Sequence, residues 1–176
     1  MTTKVVDGID RDEWLSHFMP RAEAGDPRAQ IQVGWQYATG VFLEKDLDRA
    51  LHWFREAEKS VDELAVFSII RMFAIADDPR AEAVFHERKV WSLGAIYVAY
   101  ANHRWRMDGH ARAAIPLFQA GGEKGSLAGW AMYRKLKYPG LIHRLLFLPY
   151  ELPKLIRLAW IQVGDREDIR VVGYWT

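Results

Sequence analysis

Cysteine is absent from the 176 residues. That excludes disulfide scaffolds, thiolate zinc sites and cysteine nucleophiles. Net charge is almost absent too, with 24 Lys and Arg against 23 Asp and Glu. A chain this balanced has no bulk field to draw in nucleic acid, so no nucleic-acid partner is expected. Residues 1–14 contain no apolar core segment. No secretory signal peptide is therefore expected, and a cytoplasmic location is the default. The six histidines, at 17, 52, 86, 103, 110 and 143, do not pair with carboxylates at metal-ligand spacing. The stretch Gly121 to Ser126 lacks the Gly-Lys-Ser/Thr order of a phosphate loop. No serine sits in a nucleophile elbow. Neither metal, cofactor nor catalytic residue is expected.

What the chain does have is apolar mass at helical spacing. Half of it is apolar and 13% is aromatic, enough for a real core in one domain of this length. Asp10 and Glu13 have the spacing of a capping box, followed by Trp14, Leu15, Phe18 and Met19. This predicts an N-terminal cap helix over 10–24, interrupted by Pro20. Gly25-Asp26-Pro27 reads as a left-handed stop, an N-cap and a first-turn proline. A helix over 26–38 follows, then one over 46–59 capped by Asp46. Asp78-Pro79 repeats the start signal for a short helix to about Lys89. An aromatic helix is predicted over 90–106. Another, over 110–120, should be kinked by Pro116 and broken by Gly121 and Gly122. Ser126 caps a helix over 126–137. No strand is predicted before residue 169.

The chain also resembles itself. Ala29 and Tyr37 match Ala65 and Phe73, Ala50 and Phe54 match Ala114 and Phe118, and Gly25 matches Gly125. Residues 22–59 carry Ala24, Gly25, Ala29, Gly34, Tyr37, Gly40, Val41, Asp46, Ala50, Trp53 and Ala57. In that order they resemble a SEL-one-like repeat, a branch of the tetratricopeptide superfamily. In 60–89 the loop glycines of the pattern are missing, and in 90–122 Pro116 departs from it. The resemblance implies an all-α fold, a right-handed solenoid of stacked antiparallel helix pairs over residues 1–138. Stacking is also what the physics asks of helix pairs that cannot bury both faces alone. Some secreted branches of the family pair cysteines within repeats, and this chain cannot.

Residues 139–176 differ in character. Residues 1–133 carry 16 basic and 19 acidic side chains, whereas 134–176 carry 8 and 4. On a helical wheel, 141–163 gathers Arg144, Lys154 and Arg157 on a polar face, with Leu145, Phe147 and Trp160 among the apolar residues. Such a segment serves as a cap on the last repeat, or as an in-plane membrane or partner-docking helix. Buried cations disfavour spanning.

The function implied by the resemblance is a non-catalytic adaptor that grips a protein partner in a groove lined by the first helix of each pair. Trp35, Gln36, Tyr100 and Arg104 are the candidate groove residues. An alternative is a peripheral adaptor at the inner face of the membrane, serving an envelope or secretion assembly. There Arg144, Lys154 and Arg157 would meet anionic headgroups while Leu145, Phe147 and Trp160 insert. A third reading is a small enzyme or nucleotide-binding regulator using His103-Arg104-Trp105-Arg106. In the bland reading of that run, Trp105 packs inward and the rest is an exposed helix face.

Overall fold

The computed structural model describes residues 5–6, 9–108, 111–138, 140, 153 and 156. Seven helices occur among them: α1 (Arg11–Glu23), α2 (Pro27–Thr39), α3 (Leu47–Ile75), α4 (Arg80–Phe85), α5 (Gly94–Asp108), α6 (Ala111–Glu123) and α7 (Leu127–Lys137). The fold class is all-α, and helices pack on their chain neighbours. One exception to the expected absence of strands is a two-residue antiparallel pairing, β1 (Val5–Val6) with β2 (Ile9–Asp10). Contacts divide the chain into two compact units, Met1–Met72 and Phe73–Thr176.

In the first unit, Trp14 stacks on Phe18 at 4.7 Å and meets Phe42 at 5.8 Å. Ala22, Ala29 and Val33 complete this core. Asp26 caps α2 as expected, its carboxylate accepting from the Arg28 and Ala29 amides. Asp46 does the same for α3 through the Asp48 and Arg49 amides. The close approach of α2 and α3 rests on Gly34, where a methyl group would stand 2.6 Å from the Phe54 ring. Inside α3 the helix breaks at Val61, with φ −131° and ψ 55°. That joint separates 47–60 from 62–75, next to the end predicted for the 46–59 helix.

In the second unit, α5, α6 and α7 share an apolar cluster of Val98, Ala101, Ala114, Phe118, Leu127, Trp130 and Tyr133. Their backbones meet at glycines. A methyl on Gly94 would collide with the Gly121 carbonyl, and one on Gly129 would stand 2.5 Å from the Gly122 nitrogen. A methyl on Gly122 would lie 2.7 Å from the Trp130 indole. Gly121 and Gly122 therefore do not break α6. They lie inside it, and the neighbouring helices occupy the space their side chains would need.

Other expectations are corrected as well. Pro20 does not interrupt α1, because it sits in the exposed last turn, where the carbonyl deprived of a partner faces water. Pro116 lies within α6, where the sequence placed it, and is exposed. The capping box at Asp10 does not form, since that side chain caps nothing. The short helix ends at Phe85, before Lys89. The aromatic helix starts at Gly94, not residue 90. Ahead of it, buried Trp91 is fixed in the loop, with its amide donating to the Tyr97 hydroxyl and its indole N–H to the Phe85 carbonyl.

One connector recurs three times. At Gly25 and Gly125 φ is +90° and +93°, and Asp77 takes φ +53°. The amides of Gly25, Asp77 and Gly125 donate to carbonyls three residues back. Those of Asp26, Asp78 and Ser126 donate to carbonyls five residues back, at 2.9 to 3.0 Å. These are Schellman motifs. The side chains of Asp26, Asp78 and Ser126 then accept the first amides of the next helix. Three residues beyond each cap comes a small buried residue: Ala29, Ala81 and Gly129. Burial follows the internal matches too, with Ala50, Phe54, Ala114 and Phe118 all fully buried.

Candidate functional site

The expected groove residues fall in both units. Trp35 and Gln36 belong to the first, Tyr100 and Arg104 to the second, and each pair has its own surroundings.

Trp35 is on α2, half-buried, with its ring edge-on to Phe54 at 5.4 Å. Across its face lies the Arg71 guanidinium, 5.1 Å from the ring centroid and 6.0 Å from that of Phe67. A partly desolvated cation on an indole gains about 0.5–2 kcal/mol. Burial pushes the Arg71 pKa down, although an arginine stays charged throughout the working range. The arrangement presents a flat aromatic edge beside a fixed positive charge. Gln36 has a different occupation. Its side-chain carbonyl accepts from the Phe42 amide at 3.1 Å, holding the α2–α3 loop.

Tyr100 is on α5 and is only 4% exposed. Its ring stacks on Phe85 of α4 at 4.0 Å, and its hydroxyl lies 3.4 Å from His86 Nε2. Burial is the main cause raising its phenol pKa, with Glu82 adding to it. Arg104, one turn on, pairs with Glu82 at 3.4 Å. Next along the helix, Arg106 pairs with Asp77 at 3.1 Å. Trp105 faces Phe118 and packs against the α5–α7 cluster, as the bland reading of that segment expects, but His103 is buried and is no part of an exposed face. His103 is buried beside Tyr100, with ring centroids 6.3 Å apart.

Three participants escaped the sequence reading: Arg71, Glu82 and His86. Arg71 left a signal, being the lone charged residue in the apolar run 64–75. Glu82 and His86 left none, since a short helix with mixed charge looks solvated.

The proposed docking residues Arg144, Leu145, Phe147, Lys154, Arg157 and Trp160 lie outside the described residues, as does the tail from Ile169. Before them, α7 ends in Arg134, Lys135 and Lys137. Lys137 approaches the Tyr133 hydroxyl, and that contact holds its ammonium pKa above the ordinary value. Among the described residues no His, Asp or Glu group could hold a metal ion, and no helix is long and apolar enough to cross a membrane.

No family model and no solved structure matches the chain. Over 43 residues it is 40% identical to the Secretory immunoglobulin A-binding protein EsiB of Escherichia coli. That stretch is 24% of this chain and spans 9% of the relative. The likeness is thus a short one, compatible in length with a single helix pair and its turns.

Proposed function

We propose that the chain is a non-catalytic protein-binding adaptor of the SEL-one-like kind, built as a right-handed stack of helix pairs. The observation that carries this reading is the Trp35–Arg71 pair. A half-buried indole held by a fixed guanidinium combines the two residue types that most often dominate protein interfaces. The thrice-used Schellman connector supports a repeat protein, whose faces are available for recognition. The short likeness to a protein named for binding an immunoglobulin points the same way. The second unit contributes Arg104; Tyr100, expected as a groove residue, is buried against Phe85 and supports Arg104 from within. Gln36 contributes by shaping the loop beside Trp35.

Affinity capture with the full chain tests this reading. Trp35→Ala should retain helix content by circular dichroism and lose at least tenfold of the captured partner. Arg71→Gln should lose less. Unchanged capture by both variants would overturn the assignment.

A further inference from the structure

His103 has 2% of its surface exposed, and its Nδ1 has no hydrogen-bond partner. In the neutral ring only a lone pair goes unmet there. In the imidazolium a charged N–H donor would be stranded in the same dry place, at much greater cost. The charges acting on the ring are Asp77 and Asp78 from the α3–α4 turn, Glu82 from α4, and Arg104 and Arg106 from α5 itself. Each carboxylate is already engaged: Asp77 with Arg106 at 3.1 Å, Asp78 with Arg80 at 2.8 Å, and Glu82 with Arg104 at 3.4 Å. From α6 and α7, the cluster against α5 is formed by Ala114, Phe118, Leu127, Trp130 and Tyr133, and the Tyr133 hydroxyl is engaged by Lys137. Burial is the largest influence, and with Arg106 it keeps the ring's affinity for a proton below the ordinary histidine value despite the carboxylates.

Linked to this ring through Tyr100, which stacks on Phe85, is the least self-sufficient helix. α4 has six residues, and its side-chain cap comes from Asp78, which accepts the Arg80 amide. Six residues cannot stay helical alone in water. What holds α4 is the burial of Ala81, Val84 and Phe85, with Phe85 stacked on Tyr100.

We propose that His103 is a proton-operated release for α4: protonation makes its buried place untenable, and α4 lets go of α5. Once α4 opens, the imidazole reaches water and an ordinary affinity, with a midpoint of about pH 6.5. The open form binds more protons than the closed one below that pH, so closure is strongest at neutral pH and weakens as pH falls. With one proton involved, the open fraction rises about tenfold per pH unit, down to the midpoint of the closed form.

Hydrogen exchange on the full chain from pH 7.5 to 5, corrected for intrinsic rates, reads this directly. Amides of α4 should lose about tenfold protection per unit below pH 6.5, while those of α1 and α2 do not. His103→Leu should flatten the dependence, and His86→Gln should leave it intact. Loss of protection spread evenly over the chain, or a dependence abolished by His86→Gln, overturns the proposal. Should His103→Leu fail to fold, the imidazole titration in the unmodified protein decides by nuclear magnetic resonance. A His103 midpoint below 6.5 supports the release, and one at or above 6.5 overturns it.

Discussion

Asp77 holds a left-handed backbone, φ +53°, that costs an L-residue about 1 kcal/mol and a glycine nothing. Its side chain reaches Arg106, and the turn it serves opens α4. Asp77→Gly should therefore raise stability by up to about 1 kcal/mol in urea melts. The exposed ion pair it gives up contributes little. This residue also shows where sequence reasoning falters. The missing glycine hid the left-handed half of the middle connector, whereas its start signal was legible, since Asp78-Pro79-Arg80-Ala81 copies Asp26-Pro27-Arg28-Ala29 letter for letter. Gln36 illustrates the converse. It was legible as a polar side chain on α2, but not as one committed to the Phe42 amide, because that bond depends on how the following loop folds back.

Between helices, the decisive contacts are those of backbone with backbone. Gly94, Gly121, Gly122 and Gly129 each cost their helix about 1 kcal/mol in propensity relative to alanine. Here that is offset by packing α5, α6 and α7 closer than any side chain permits. Gly129→Ala should thus destabilise the chain by about 1–3 kcal/mol in thermal or urea melts, despite alanine's better propensity. A stabilised variant would mean that α6 and α7 are not held this closely. Local propensity misreads these positions for a physical reason. Paired glycines look like a stop until a neighbouring backbone is known to need the room. Proline misleads similarly at Pro20, where the orphaned carbonyl lies near an exposed helix surface, so α1 runs on. The Asp and Ser caps were legible because their hydrogen bonds lie within three residues.

Over the whole chain, charge is segregated in sequence. Residues 134–176 hold 8 of the 24 basic side chains and only 4 of the 23 acidic ones. The basic last turn of α7 is where this begins. If the segment serves an anionic surface, the full chain should sediment with vesicles containing phosphatidylserine and stay unbound with neutral ones. Binding should weaken severalfold between 50 and 200 mM salt, on the order of what screening dictates. No difference between the lipids would leave the cap reading of 141–163 standing. The all-α class was legible from apolar spacing together with the Asp-Pro, Ser and Gly punctuation, and the first helix pair from its turns. The division after Met72 was not, because it falls within the continuous apolar run of 64–75 and no composition change marks it.

The recurring connector has a consequence for how such a chain comes into being. Each Schellman turn closes over five residues, and α1 with α2, or α5 with α6 and α7, join segments that leave the ribosome one after another. Little loop entropy is spent before contacts repay it. Each turn can set while the residues beyond it are still unmade, so early folding of a nascent chain need not await its end.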